Sequence, residues 1–372
     1  MNQTEKNEYR LLSSTSREFS QKVLLQYREE NDHYPFAGLD QTAFEKAHSM
    51  DFFHLWLPES MGGLEGDIGK LCTVLLNIAE VDASMAVAIL TNAMAQEIMI
   101  QAGEMDRLGE LYSRNGSLKE ALIAFPSFSN PSEMTPELMA IEKEDGVCLN
   151  GSAKGMVMGN MAENMIVFAR FPEDPGCSCF LIAASQETIR IGDPVISLGL
   201  HACPAVDIDF NETPGIRIGQ KGRASEYFWN MYGKLVSAGA AIAAGIMRGS
   251  FADALKYSQA RIQGGKKIAE WSEVQLLLAN MALKVRNAEM LIEYAGAKSG
   301  KDAIHDCIAA SIPILDHACD VASDGIQILG GYGYMEDYSQ EKRYRDAQHL
   351  QSLFGISCLK KIQYVKSCYK LA

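Results

Sequence analysis

The chain has 372 residues, of which 47% are hydrophobic and 22% are charged. This balance is typical of a globular protein and is too apolar for a disordered one. The net charge of −13 argues against a nucleic-acid-binding protein and against an electrostatic membrane anchor, because both need a basic face. A small basic patch is still compatible with this total, so a nucleotide ligand is not excluded.

Targeting and metal-binding signals are not evident. The first twenty residues are polar and charged, so they do not predict a secretory signal. Apolar stretches such as residues 235–247 are too short to span a bilayer. Nine cysteines are scattered, and Cys177 and Cys179 have no second cluster that would complete a zinc site. We therefore predict a cytoplasmic protein with reduced thiols, no membrane span and no metal.

The first two zones of the chain differ in their hydrophobic periodicity. Residues 1–118 are predicted to form an N-terminal helical domain, because apolar residues recur three and four apart, as in residues 71–78. Residues 119–223 contain short alternating runs, such as 146–151 and 205–210, between prolines. That pattern predicts a central antiparallel β-barrel or sandwich domain.

The helical period returns at residue 224 and continues to residue 372, which predicts a C-terminal helical bundle over 224–372. Helices are expected at 231–261, 271–299 and 301–329. Double glycines follow the first and the third of these helices, and Gly264–Gly265 is expected to stop the first. Helices, then strands, then a helical bundle make an α+β arrangement.

Four segments resemble, in the same order, the acyl-CoA dehydrogenase family. Residues 57–63 (Leu-Pro-Glu-Ser-Met-Gly-Gly) resemble its N-terminal turn, residues 198–204 its late barrel segment, and residues 256–265 the end of a bundle helix. Residues 327–346 are the strongest match, with a glutamine, a double glycine, a glycine two residues on, and an Arg-Asp pair. One such match is weak, but four in order over nearly the whole chain are specific.

The resemblance implies an N-terminal helical domain, a central β-domain and a C-terminal four-helix bundle, in a dimer or a dimer of dimers. It implies FAD between the β-domain and the bundle, with the ADP half of FAD reaching a neighbouring subunit. The implied reaction is α,β-desaturation of an acyl-CoA, in which a carboxylate removes the α proton and the flavin accepts the β hydride. Electron-transfer flavoprotein is the implied redox partner.

Four residues are candidates for contact with the cofactor: Arg261, Gln327, Gly330 and Gly331. A double glycine at a helix end exposes backbone N–H groups and allows a pyrophosphate to approach closely. An arginine at a helix end suits a phosphate. The same residues also fit simple glycine capping and a surface arginine, so the residues alone leave both interpretations open.

The family's catalytic glutamate is missing. By resemblance it stands directly before Gly-Thr, shortly after the Arg-Asp pair, but here Phe354 precedes Gly355 and Ile356 replaces the threonine. A phenyl ring cannot accept a proton. The family's second position for the base, at the start of the long bundle helix, falls at about Leu235, which is also apolar. The resemblance therefore predicts a chain without the usual base.

The segments that would contact the flavin ring also differ from the family. Its Thr-Glu-Pro-Gly-Ala-Gly-Ser-Asp-like loop aligns with residues 124–131, and its Trp-Ile-Thr strand aligns with residues 155–157. Gly155 and Val157 supply neither the stacking area of tryptophan nor the hydroxyl of threonine. The elements for the ADP half are kept, whereas those for the flavin ring are lost.

Several titratable residues are candidates for a substitute base, each with a plainer interpretation. Glu97 lies on an apolar stretch that by resemblance lines the acyl pocket. The simpler interpretation is that its side chain points to solvent or pairs with Arg107. Glu270 and Glu273 are more simply acids in the first turn of a helix. His349 lies near the seat of the missing base, but a packed or surface histidine is the simpler explanation.

Three functions remain open on this sequence. In the first, the chain is a silent subunit that forms a hetero-oligomer with an active paralogue and completes the partner's FAD site. In the second, it is an active FAD-dependent acyl-CoA dehydrogenase, homo-oligomeric, that acts on an unusual acyl-CoA with another base such as Glu97. In the third, it is a non-redox protein that binds acyl thioesters on the same scaffold.

Overall fold

The computed structural model describes residues 3–33, 40–113, 117–133, 136–296 and 303–369. Its N-terminal part is helical, and the Asp67 and Asp82 carboxylates cap two helices there by accepting the backbone N–H groups of Lys70 and Ser84. The helices are α1 Gln3–Phe19, α2 Leu25–Tyr27, α3 Gln41–Ser49, α4 Ile68–Ala79, α5 Ala83–Gln101, α6 Met105–Ser113 and α7 Leu118–Ala121.

The central part is a small β-barrel. Its strands are β1 Ile123–Ala124, β2 Met139–Lys143, β3 Gly146–Val157, β4 Asn164–Arg170, β5 Cys177–Ala183, β6 Ile189–Pro194 and β7 Ala205–Ile218. Hydrogen bonds run from β4 to β2, β3, β7 and β5 and then back to β4, which closes the sheet. The pairs β1–β4 and β2–β4 are parallel and the others are antiparallel. Closure removes the exposed edges of these five strands.

The C-terminal part is a helical bundle around one long helix. Its elements are α8 Ala224–Ala260, β8 Ile262–Gln263, β9 Lys266–Lys267, α9 Ser272–Gly296, α10 Ala303–Leu329, α11 Gln340–Leu350 and α12 Ser357–Tyr369. Small residues along α8 allow the backbones of α4, α5, α9 and α10 to pack closely against it. The predicted α+β fold class, with helical, barrel and bundle parts in that order, is confirmed.

Element boundaries differ from the prediction in one informative place. Helix α8 ends at Ala260 rather than at the double glycine. Gly264 and Gly265 instead form the two-residue turn between β8 and β9, with φ angles of +66° and +84°. Such a turn needs positive φ at both positions, which glycine adopts without strain. The expected helix ends between residues 297 and 302 lie outside the described residues, and the domain boundaries after residues 118 and 223 stay predictions.

Two helices, Ala83–Gln101 and Ala224–Ala260, are long and apolar enough to cross a membrane, which the short apolar stretch at 235–247 did not suggest. However, 94% and 83% of the residues in their most apolar windows are buried inside the protein. They are therefore explained as the central helices of the packed core, since a core helix passes the same test of length and composition.

The crossing of α4 and α8 should tolerate no side chain at Gly245. A Cβ atom there would lie 2.4 Å from the Leu76 carbonyl oxygen and 2.8 Å from the Ala79 Cβ atom. We expect Gly245→Ala to lower the free energy of unfolding by about 2–3 kcal/mol, because the helices must separate. Gly109→Ala is the control, since its Cβ would meet only the Met61 Cε atom at 3.4 Å.

The control should be neutral or more stable by about 0.5–1 kcal/mol, because alanine favours a helix over glycine. Denaturant unfolding of both variants measures these changes. Similar effects at the two positions would contradict the proposed close packing of α4 on α8.

Candidate functional site

All four predicted cofactor residues line one cleft, which we call the terminal cleft. It encloses about 810 Å³ between the end of α8, the start of α9 and the end of α10. Gly330 has a φ angle of +59°, and a Cβ atom at Gly330 or Gly331 would meet nothing within 4 Å, so their backbone faces open space. The Arg261 guanidinium lies 5.9 Å from the centre of the Tyr332 ring. The structure thus brings Arg261, Gln327, Gly330 and Gly331 together.

Phe354 is buried beside α8. We call the position of its side chain, where the family has its catalytic glutamate, the seat. Its side chain is 2% exposed, and its ring centre lies 5.2 Å from that of Tyr232. An ideal Cβ atom on Gly239 would lie 3.0 Å from the Phe354 ring, so the ring rests directly on the backbone of α8. The Phe354 backbone has a φ angle of +65°, and its N–H donates to the Ser127 carbonyl at 2.8 Å. Leu235, at the second position for the base, is fully buried.

The seat contains two polar groups that the sequence interpretation missed. The Tyr232 hydroxyl is buried and has no hydrogen-bond partner within the part of the chain that the structure describes. Burial, followed by the charge of Glu133, raises the pKa of Tyr232. Glu133 lies in the loop before β2, and its carboxylate accepts the Ile356 backbone N–H at 2.8 Å. No local pattern signals this contact, because the two residues are 223 positions apart.

Glu97 lies in a separate cavity of about 710 Å³. Its carboxylate, 2% exposed, accepts from the Lys234 ammonium at 2.7 Å and from the Trp56 indole N–H at 2.8 Å. Pairing with Arg107 is not observed, since Arg107 contacts Glu104 instead. Successive residues of a helix are about 100° apart, so Lys234 lies on nearly the opposite side of α8 from Tyr232. The structure therefore does not bring Glu97 and Phe354 together in one site.

The remaining candidate bases are Glu270, Glu273 and His349. Glu270 accepts the Lys267 backbone N–H, and Glu273 lies in the first turn of α9. The His349 Nδ1–H donates to the Gly199 carbonyl at 2.7 Å, and the imidazole ring lies 4.7 Å from that of Phe128. Burial lowers the pKa of His349. Among the described residues, no group of three or more His, Cys, Asp or Glu side chains is arranged to hold a metal ion.

A buried charged cluster fixes α11, which leads into the seat. Arg345 binds Asp32 at 2.5 Å and Glu341 at 2.6 Å, and the Asp346 carboxylate accepts the Leu200 backbone N–H at 2.7 Å. His201 Nδ1 lies 3.0 Å from Asp32. The Arg-Asp pair therefore connects the N-terminal segment, the barrel and the bundle.

The scaffold and the terminal cleft together define a dehydrogenase-type flavoprotein architecture of helical, barrel and bundle parts. Family models described as the acyl-CoA dehydrogenase N-terminal domain and the acyl-CoA dehydrogenase C-terminal domain match residues 6–107 and 237–361. The chain belongs to the acyl-CoA dehydrogenase family.

Two similar proteins illustrate the range of its relatives. The caffeyl-CoA reductase-Etf complex subunit CarC of Acetobacterium woodii is 24% identical over 91% of this chain and 92% of its own length. The 3-(aryl)acrylate reductase of Clostridium sporogenes is 26% identical over 94% of this chain and 95% of its own length.

Solved structures share the complete fold. One described as the electron transferring flavoprotein of Acidaminococcus fermentans has a TM-score of 0.87 and 25% identity, over 98% of both chains. The butyryl-CoA dehydrogenase of Megasphaera elsdenii has a TM-score of 0.85 and 23% identity, over 97% of this chain and 98% of its own. These likenesses show that the same fold extends over nearly the whole chain.

The residues around the seat do not fit a flavin ring in this chain. Gly155 and Val157 offer no aromatic face or hydroxyl, and the Phe354 ring fills the space next to α8. The terminal cleft, in contrast, offers the volume, the cation and the exposed backbone that an ADP diphosphate requires.

The cluster around His201 should make stability depend on pH. Burial lowers the pKa of His201, but hydrogen bonding to Asp32 and the negative charge of Asp32 together outweigh burial and leave the pKa raised. A raised pKa stabilises the fold fully below the unfolded value of about 6.5, and this contribution disappears as pH rises through the folded value. We expect His201→Gln to cost about 1–2 kcal/mol at a pH near 6 and progressively less toward pH 8.

Urea unfolding of the wild type and His201→Gln across this range measures the difference, in which contributions from other groups largely cancel. The same substitution at His305, which lies outside this cluster, is the control for the loss of an imidazole. A cost for His201→Gln that stays constant with pH would mean that the imidazolium–Asp32 pair does not stabilise the fold.

Proposed function

We propose that this chain is a non-desaturating subunit of an acyl-CoA dehydrogenase complex. It lends its terminal cleft to the ADP half of FAD held in a catalytically intact partner. The observation that carries this proposal is the asymmetry between the two sites: the cleft is open and equipped for a diphosphate, while the seat of the base is filled by Phe354.

The chemistry assigned to each residue follows from its position. Arg261 would neutralise phosphate charge, and the backbone at Gly330 and Gly331 would lie against the diphosphate. Gln327 would donate and accept hydrogen bonds at the same edge of the cleft. FAD supplies hydride transfer when it is bound in the partner. Proton abstraction from the acyl-CoA is assigned to the partner, because neither Phe354 nor Leu235 accepts a proton.

The relatives make an electron-transferring partner reasonable. CarC carries the name of a subunit of a caffeyl-CoA reductase-Etf complex, so an Etf-type protein is the redox partner that we propose for the mixed complex. The acyl-CoA itself would bind to the intact subunit. A cytoplasmic location follows from the proposed partners, and two buried core helices do not argue for a membrane.

The rival function is that of an active dehydrogenase that uses Glu97. The specific observation in its favour is that Glu97 lines a cavity of about 710 Å³, large enough for an acyl group. Against it, Lys234 and Trp56 already hold the carboxylate. A base must also lie close to both the substrate and a flavin, but Glu97 lies on the opposite side of α8 from the seat at Phe354.

Flavin stoichiometry tests the proposal. The chain is co-expressed with an acyl-CoA dehydrogenase paralogue from the same genome that has glutamate before its Gly-Thr. We expect a mixed complex with about half a flavin per chain, because each flavin needs one cleft and one intact seat. Protein mass and the absorbance of released flavin measure the ratio.

A homo-oligomer with one FAD per subunit would contradict the proposal and favour the rival. In that case bleaching by an acyl-CoA, and its loss in Glu97→Gln, would identify the base. Colourless protein that binds an acyl thioester and does not associate with the paralogue would favour the third function, a non-redox binding protein.

Substitution of Arg261 tests the role of the cleft within the mixed complex. Arg261→Ala should weaken FAD binding by about tenfold, since a charge-assisted hydrogen bond to phosphate is lost. Arg286→Ala is the matched control, because Arg286 is exposed on α9 and pairs with Glu289 on the same helix. Titration of the apo complex with FAD measures both affinities. Equal FAD affinities in the two variants would mean that the terminal cleft is not part of the flavin site.

A further inference from the structure

The loop at residues 126–133 closes over the seat of the missing base. Its Ser127 carbonyl accepts the Phe354 N–H at 2.8 Å, and its Glu133 Oε2 accepts the Ile356 N–H at 2.8 Å. Asn130 supports the carboxylate through a contact of 3.4 Å between its Nδ2 and Glu133 Oε1. The barrel is thus tied to both sides of Gly355.

Glu133 lies at the N-terminus of a helix. Ile356 directly precedes α12, and its carbonyl accepts the Lys360 N–H. Ile356 is therefore the N-cap residue of α12. The free N–H groups at such an end carry a partial positive charge and form an anion-binding position, commonly for phosphate. Here the anion is a side chain of the protein itself.

A buried lysine adds to the positive character of this position. Lys360 is 3% exposed, and its ammonium donates to the Leu353 carbonyl at 2.6 Å and to the Gln351 carbonyl at 2.9 Å. Burial lowers the pKa of Lys360 to about 8, while the charges of Glu133 and Asp316 oppose this fall. Without Glu133, the turn would present a helix N-terminus next to a poorly compensated cation.

The carboxylate leaves no room for a second anion. The ideal Cβ position of Gly355 lies 2.7 Å from one Glu133 carboxylate oxygen and 2.9 Å from the other. Gly355 has a φ angle of +114°, so glycine is required here both for the backbone and for the contact. The oxygens of Glu133 therefore fill the space directly against the turn.

We infer that Glu133 is a specificity-determining residue: a built-in anion that occupies the N-terminus of α12 and closes this chain's own seat against a phosphate-bearing ligand. The inference rests on the proposed function and explains how one chain can offer a cleft for a dinucleotide while excluding one from its own seat. The effect has two parts, since the carboxylate both fills the position and repels phosphate.

Removal of the carboxylate should open the position to an added anion. In phosphate-free buffer we expect Glu133→Ala to melt a few degrees below the wild type, because the helix end loses its cap. Inorganic pyrophosphate at millimolar concentration should raise the melting temperature of Glu133→Ala, as binding to the folded state stabilises it. The wild type and the exposed control Glu187→Ala should show a smaller rise, equal in both, because pyrophosphate can bind them only in the terminal cleft.

Glu133→Gln keeps the shape of the side chain and covers the case in which the alanine variant does not fold. It should respond in the same direction at higher pyrophosphate concentration, because an anion displaces a neutral amide more easily than it displaces a carboxylate.

Two results would overturn the inference. If both variants lose stability and respond to pyrophosphate no more than the wild type does, Glu133 is a helix cap only. If the wild type responds as strongly as Glu133→Ala, the carboxylate excludes nothing. Neither result alters the mixed complex, whose half flavin per chain tests the proposed function separately.

Discussion

The structure depends on a buried cluster of charges where three parts of the chain meet. Arg345 reaches Asp32 across 313 positions of sequence, and Asp346 accepts both the Leu200 backbone N–H and the Lys342 ammonium, which is at 2.7 Å. Breaking one partner in such a cluster leaves an uncompensated buried charge, which is strongly destabilising. The cluster therefore holds α11 in one place relative to the barrel. The turn at Phe354 and Gly355 follows directly from the end of that helix.

The turn at Phe354 holds an unfavourable backbone conformation in place through several contacts. A left-handed φ angle of +65° is unfavourable for phenylalanine, at a cost of roughly 1–2 kcal/mol. It is offset by the hydrogen bond to Ser127, by the Lys360 ammonium on the preceding carbonyls, and by the contact of the ring with α8 at Gly239. These contacts hold the turn in one conformation with a core residue at position 354. The same preserved turn then accepts Glu133 as its neighbour.

Sequence periodicity was sufficient for the fold but not for these contacts. The barrel follows from alternating runs between prolines, and α8 and α10 follow from helical spacing, since both patterns are local. The hairpin at Gly264–Gly265 was mistaken for a helix stop, because a double glycine also suits a two-residue turn. The pairing of Glu97 with Lys234 and the approach of Glu133 to Ile356 had no local signal, because these contacts join positions more than one hundred residues apart. Arg261, Gln327, Gly330 and Gly331 were grouped through the family resemblance, and the structure places them in one cleft.

The terminal cleft has features that the fold of a single chain does not require. Tyr332 and Met335 line it while remaining 43% and 52% exposed, and Trp271 is 40% exposed at the start of α9. Exposed aromatic and apolar side chains around an open backbone stabilise an isolated chain little, but they are suited to contact with a partner or a ligand. In the seat at Phe354 the opposite holds, since nearly every atom there packs against its own chain. A filled seat beside an open outward cleft is the arrangement that the proposed role, serving the cofactor of a second subunit, would need.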